Sequence, residues 1–233
     1  MPHLKFILPT APTQPVTMNM GMPMPSWYDI TGLDERANEN CKGIDVSKSR
    51  VADILEAEHA STGLPYSRMM LAGFSQGGAL ALFTGMQLPL PQALAGIVVM
   101  SGYMPAASQF KLTPGLEKVP ILHCHGTMDP MVKYELAEKT KAKLVECGAT
   151  DYTIKSYPIQ HTVSPDELAH VSQFIQKVLP ADDTCKIQLK DPSAMSVKEL
   201  KAAIKKAGLG SQAVGFMEKS EFIRLLQDHR AAK

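Results

Sequence analysis

The sequence predicts an α/β fold with a mainly parallel sheet, and three observations carry that expectation. Strand-like runs alternate with helix-spaced segments along most of the chain. Gly96–Gly102 and Val119–Gly126 read as strands buried on both faces, as parallel strands are. A serine between glycines, Gly73-Phe74-Ser75-Gln76-Gly77, joins a short apolar run to an apolar helix-like run. At 233 residues and 45% hydrophobic, the chain can bury one substantial core and carry a small appendage.

Taken in order, Lys5–Leu8 is a short strand candidate that runs into a loop rich in Pro, Met and Gly. Met18, Met20, Met22 and Met24 give that loop a soft, adaptable apolar surface, suited either to packing over the core or to lipping a lipophilic pocket. Val46–His59 has helical spacing in Val51, Ile54 and Leu55, and Ser61–Pro65 ends it. Arg68–Ala72 has a strand's length, and a helix begins near Ala79. A helix is expected over Tyr134–Cys147, closed by Gly148, and a strand over Tyr152–Tyr157. Ser164-Pro165-Asp166-Glu167 combines a capping box with proline at the first helical position, so a helix starts there.

In parallel sheets functional groups gather in loops at the carboxyl ends of the strands. Ser75, Asp129 and His161 fall there, in the chain order Ser, Asp, His. The residue types match a proton-transfer task. A serine hydroxyl is inert near neutral pH until a base takes its proton, imidazole titrates in the right range, and a carboxylate can orient the imidazole. His123 and His125 flank Cys124 on one face of a strand, but no third ligand is evident, so packing or hydrogen bonding is favoured over a metal and no metal is assigned. His59, His170 and His229 read as surface residues on helices, and His3 is terminal. No cofactor is implied.

The net charge of +1 gives no global field for nucleic acid or membrane. No apolar run is long enough to span a bilayer, and prolines interrupt the N-terminus before a secretory apolar region forms. Cys41, Cys124, Cys147 and Cys185 are scattered without CxxC spacing, which fits reduced thiols in the cytoplasm. The charge is uneven. Residues 184–233 carry ten Lys/Arg against five Asp/Glu, and the rest carry fourteen against eighteen. A boundary is expected near Pro180–Asp183, giving a domain over 1–180, a linker over 181–195 and a module over 196–233.

Four motifs in order resemble the acyl-protein thioesterase/lysophospholipase family of α/β-hydrolases. They are Pro25-Ser26-Trp27-Tyr28-Asp29, Gly73-Phe74-Ser75-Gln76-Gly77-Gly78-Ala79, Cys124-His125-Gly126 with Asp129, Pro130 and Val132, and His161 before its helix. The resemblance covers residues 5–180. It implies Ser75 as nucleophile, Asp129 as orienter, His161 as base and the Gln76 backbone N–H as an oxyanion donor. It also implies S-acylated proteins, lysophospholipids or simple carboxyl esters as substrates, with transient membrane contact where these reside. Trp27 lies in a family segment near the active site, and with Met22 and Met24 it is the candidate substrate-binding set.

The chain departs from the family in two places. The family's first segment, a strand ending in an H-G-x-G-D oxyanion loop, has no counterpart before Lys5. An N-terminally truncated sheet is therefore expected, with a gap between Lys5–Leu8 and Arg68–Ala72. Losing one oxyanion donor typically lowers turnover about 10²–10³-fold. The alternative function is accordingly a catalytically impaired homologue acting as a binding or scaffold protein. Gln160 also stands where the family usually has glycine, which puts the loop around His161 in question.

The last fifty residues form two amphipathic helices around a linker and resemble SAP-like helix-linker-helix modules, with Ser196 and Glu199 as a capping box. Their basic excess permits nucleic acid as a partner through 196–233, but a solvated lysine face is the commoner explanation. The sequence does not set an oligomeric state.

Overall fold

The structure is a computed structural model that describes residues 1, 3–33, 39–183 and 190–231. The chain divides into two compact units, Met1–Cys185 and Lys186–Lys233.

In the first unit four parallel strands form one sheet: β3 (Met70–Phe74), β4 (Gly96–Met100), β5 (Ile121–Gly126) and β6 (Tyr152–Tyr157), in spatial order β3-β4-β5-β6. Helices occupy the connections: α1 (Ile44–Thr62) leads into β3, α2 (Gln76–Gly85) follows it, α3 (Tyr134–Glu146) joins β5 to β6, and α4 (Pro165–Val178) comes last. Residues alternate between the two faces of the sheet. Ile97, Val99 and Ile121 pack with α1, α2 and α3 residues such as Leu55, Leu82 and Leu144 in the larger core. Val98, Leu122 and Cys124 pack with Val171, Phe174 and Ile175 of α4 on the other face. This makes an α/β/α sandwich, which covers both faces of the all-parallel sheet.

The central elements are buried as the apolar runs dictate. All six residues of β5 are buried, and α2 is buried continuously from Gly78 to Gly85, so it is a core helix and not a surface one. Where a helix meets solvent, its ends carry the sequence signals. In α4 both halves of the Ser164/Glu167 capping box form, behind Pro165. Gly63 ends α1 in the left-handed conformation.

Two expectations fail near the N-terminus. Lys5–Leu8 is not a strand: no ladder lies beside it, and Phe6 and Leu8 stay exposed. A strand needs a partner for its backbone groups, whatever its side-chain pattern. The following "loop" contains an antiparallel hairpin, β1 (Thr13–Val16) and β2 (Met22–Pro25), paired from Thr13↔Pro25 to Val16↔Met22. Pro15, Pro23 and Pro25 hide this hairpin in the sequence, because prolines are tolerated only where no ladder donor is needed, as on a two-stranded ribbon. Met20 and Gly21, both at positive φ, turn the chain between the strands.

In the second unit α5 (Val197–Lys206) and α6 (Lys219–Ala231) close a small core of Met195, Leu200, Ile204, Leu209, Phe222 and Leu226. The Ser196/Glu199 capping box opens α5. Met195, placed in the expected linker, packs in this core. Residues 184–189 of that linker, Cys185 included, lie outside the described residues.

Candidate active site

The site is assembled at the carboxyl ends of β3 and β5 by the loop that follows β6. At the end of β3 the chain reverses into α2 within one residue. Ser75 is that residue, at φ 53° and ψ −122°, a region that strains any side chain other than glycine's hydrogen. Its N–H donates to Met100 O at 2.8 Å, and its carbonyl accepts the first helical bond from Ala79 N at 3.0 Å. The turn is so tight that a Cβ on Gly73 would lie 2.2 Å from the Gly77 carbonyl carbon. That contact, and not flexibility, is why glycine is required there.

Asp129 follows β5 in a turn that it caps itself. Its Oδ1 accepts from Met131 N and Val132 N, both at 2.9 Å, which leaves Oδ2 for another donor. That donor is His161 Nδ1, at 2.7 Å, and His161 Nε2 stands 3.0 Å from Ser75 Oγ. The Asp129 side chain is wholly buried, whereas His161 keeps 12% of its side-chain surface open. The residues expected from the sequence therefore converge in one line: carboxylate, imidazole, hydroxyl. Such a line can hold the imidazole with its proton on Nδ1 and present a bare Nε2 to the serine proton.

The loop that delivers His161 rests on β5. Thr127 N and Met128 N donate to Tyr157 O and Ile159 O. A Cβ on Gly126 would lie 2.3 Å from Ile159 O, so this crossing also demands glycine. Gln160 is exposed, and a glutamine there leaves the His161 geometry intact.

Two features were not foreseen. The Phe74 ring lies against the His161 imidazole, with centroids 4.8 Å apart and planes at 45°. The Gln76 side chain ties the elbow to the segment after the hairpin. Its Nε2 donates to Tyr28 O at 2.8 Å and lies 2.9 Å from Ser26 Oγ, and its Oε1 accepts from Trp27 N at 3.0 Å. The sequence signal was the pairing of two motifs, Pro25–Asp29 and Gly73–Ala79, with a polar side chain directly after the serine. As the first residue of α2, Gln76 also has a backbone N–H without an intrahelical acceptor. His123 and His125, expected to pack or hydrogen bond, are fully buried and hydrogen bonded to each other, 3.2 Å apart. Burial and the facing imidazole hold His123 down to about 3, and burial lowers His125 as well, so both are neutral near pH 7.

Of the candidate substrate-binding residues, Trp27 packs partly buried against the larger core, while Met22 and Met24 are exposed on β2. Met24 Sδ accepts from Asn19 Nδ2 at 3.5 Å. Among the described residues no group of three His, Cys, Asp or Glu side chains is placed to hold a metal ion.

Comparison with known proteins bears on the whole first unit. The family model described as Phospholipase/Carboxylesterase matches residues 1–179. Acyl-protein thioesterase 1 of Mycosarcoma maydis is 36% identical, with 77% of this chain and 80% of that protein covered. Acyl-protein thioesterase 1 of Neurospora crassa is 39% identical over 76% of this chain and 75% of that protein. Among solved structures, Arabidopsis thaliana SOBER1 aligns with a TM-score of 0.64 and 32% identity, over 74% of this chain and 83% of that one. Zea mays acyl-protein thioesterase 2 aligns with a TM-score of 0.64 and 29% identity, over 73% and 80% respectively. The chain thus belongs to the phospholipase/carboxylesterase family of α/β-hydrolases and is a hydrolase.

Proposed function

We propose that the chain cleaves acyl esters and thioesters by forming an acyl-enzyme on Ser75. In this reading His161 Nε2 takes the Ser75 proton as Oγ bonds to the substrate carbonyl carbon. The carbonyl oxygen becomes an oxyanion, which the Gln76 backbone N–H stabilises. The tetrahedral intermediate collapses as His161 returns the proton to the leaving thiol or alcohol. Water then attacks the acyl-serine with His161 again as base, releasing the carboxylic acid and restoring the Ser75 proton. Asp129 keeps the imidazole in the Nδ1–H tautomer and balances its transient charge.

The observation that carries this reading is the unbroken line from Asp129 Oδ2 through His161 to Ser75 Oγ, at 2.7 and 3.0 Å. The relatives' names favour S-acylated proteins as the substrate class, and the family description adds lysophospholipids and simple carboxyl esters as candidates. Trp27, with Met22 and Met24 of the hairpin, is the proposed rest for the acyl chain, because methionines adapt to apolar ligands of varied shape. Cys41, Cys124 and Cys147 are thiols and not disulfides, which supports a cytoplasmic setting. Membrane contact in this proposal is transient, made where acylated substrates reside; among the described residues no helix is long and apolar enough to cross a membrane.

Hydrolysis of p-nitrophenyl butyrate and octanoate, and thiol release from an S-palmitoyl peptide, test the proposal beside Ser75→Ala. Turnover and fluorophosphonate labelling that vanish together in the variant are expected. A folded wild-type chain that neither labels nor turns over would sink it and leave the binding-protein alternative.

A further inference from the structure

Asp129 has a second imidazole neighbour. His125 Nε2 stands 3.8 Å from Asp129 Oδ2, and its actual acceptor is Val132 O, at 2.7 Å. On the other side of this ring, His125 Nδ1 meets His123 Nε2 at 3.2 Å, and His123 Nδ1 meets the Tyr152 hydroxyl at 2.6 Å. All four links lie in the interior between β5, β6 and the turn after β5. We propose that Tyr152, His123 and His125 form a one-directional hydrogen-bond chain whose end grips the Asp129–Val132 turn, making His125 a positioning residue for the Asp129 carboxylate. This rests on the reading of Asp129 as the group that orients His161.

The direction follows from counting protons. A neutral imidazole has one donor and one acceptor nitrogen, and Val132 O can only accept. His125 must therefore carry its proton on Nε2, which leaves Nδ1 bare. His123 must then donate from Nε2, which leaves its own Nδ1 bare to accept the Tyr152 hydroxyl proton. Reversing the chain would put the bare Nε2 of His125 against a carbonyl oxygen at 2.7 Å and strand the Tyr152 proton. An unpaired polar group in so buried a place is disfavoured. Val132 O thus sets the tautomers of both histidines from one end, and the Tyr152 hydroxyl donates to the chain at the other.

The consequence reaches the site through the turn. Val132 donates its N–H to Asp129 Oδ1 while its carbonyl is held by His125, so both polar groups of one peptide-linked residue are fixed. Asp129 Oδ2 then keeps its aim at His161 Nδ1. The chain also keeps the space behind the carboxylate uncharged. A cationic His125 would compete with His161 for Asp129. The groups facing His125 are Asp129, His161, Glu135 and the Tyr134 ring. His123 faces Tyr152, His125 and the Gly102 carbonyl. Burial outweighs the two carboxylates and keeps the pair neutral.

The test uses the full chain labelled with ¹⁵N, read by long-range imidazole NMR from about pH 5 to 8, the range where ordinary histidines titrate. Both histidines are expected as neutral Nε2–H tautomers throughout. An Nδ1–H tautomer or an imidazolium at either position overturns the proposal. In turnover, His125→Leu is expected to lower kcat about a hundredfold with KM unchanged, the scale of a small misplacement of a reacting group. His125→Gln, whose amide nitrogen can still reach Val132 O, is expected to recover most of that loss. Equal loss in both variants, or no loss in His125→Leu, removes the positioning role. If His125→Leu does not fold, Tyr152→Phe replaces it: both Nε2–H tautomers are expected to persist, because Val132 O fixes them, with kcat severalfold lower, and an Nδ1–H tautomer at either histidine or an unchanged kcat overturns the chain. Should Ser75→Ala keep full turnover, it is the reading of the triad that fails, while the tautomer result still judges the chain.

Discussion

Ser75 and Asp129 end two strands of the same sheet, yet they are held by opposite means. The serine sits beyond β3, an outer strand of half-exposed residues, and its position comes from backbone: a strained dihedral pair, a glycine contact and the start of a helix. The aspartate sits beyond β5, an inner strand buried at every residue, and its position comes from side chains and the amides they cap. In the proposed mechanism the serine must be thrust out toward substrate, and strain does that. The carboxylate proposed to orient the imidazole must not move, and saturation of its oxygens by donors does that. Backbone devices tolerate no added atom, whereas side-chain devices can be weakened by degrees.

That contrast can be broken first at the carboxylate. Asp129→Asn should leave the fold intact and lower kcat by about 10⁴, the effect of the wrong imidazole tautomer. Thermal melting beside steady-state kinetics separates the two outcomes, and a melt that drops with the rate would contradict it. At the serine end the damage should be to the fold. Gly73→Ala brings a Cβ to 2.2 Å from backbone that cannot yield, so a destabilisation of about 3 kcal/mol or more is expected in urea unfolding. Gly126→Ala meets Ile159 O at 2.3 Å and should behave alike, showing that the β5 end also has one rigid backbone point.

Such backbone points were legible in the sequence where side chains announce themselves. Gly73-Phe74-Ser75-Gln76-Gly77 could be read because a sharp strand-to-helix turn admits few residues. The Ser164–Glu167 start of α4 could be read because both of its partners are local. Asp129 and His161 were singled out by their places after strands, since a parallel sheet collects such loops at one end. What stayed hidden depends on contacts remote in sequence. Phe74 against His161, and Gln76 against Ser26–Tyr28, join residues some fifty or more positions apart, about which local spacing is silent. The hairpin was masked by its prolines, and Lys5–Leu8 had a strand's pattern without a strand's partner. His123 and His125 were placed on one face correctly, but their roles needed Tyr152 and Val132.

Two smaller effects sharpen the comparison. The buried histidines make the β5 side acid-sensitive. Folded His123 takes up its proton only near pH 3, whereas an unfolded histidine does so near 6.5. The unfolded state therefore binds more protons between those values, and stability falls as pH drops through that window. The slope is about 1.4 kcal/mol per pH unit for each such histidine. His123→Gln should flatten this acid limb of a urea-unfolding series by one histidine's share; an unchanged slope would show that His123 is protonated in the folded state. Gln76→Ala should be milder, about 1–2 kcal/mol, because water can reach part of the segment it bridges. Its signature should be a larger change for octanoate than for butyrate ester hydrolysis, since it loosens the Trp27 segment and not Ser75 itself.

Gln76 gives the molecule a lever. One side chain grips the segment leaving the methionine hairpin, and the same residue's amide is the first of the helix that backs the serine. A compound wedged beneath the hairpin would pull on that amide without ever contacting the reactive hydroxyl. Inhibitors found by screening need not resemble an acyl chain or carry a warhead, and competition with a serine-directed probe would overlook how they work.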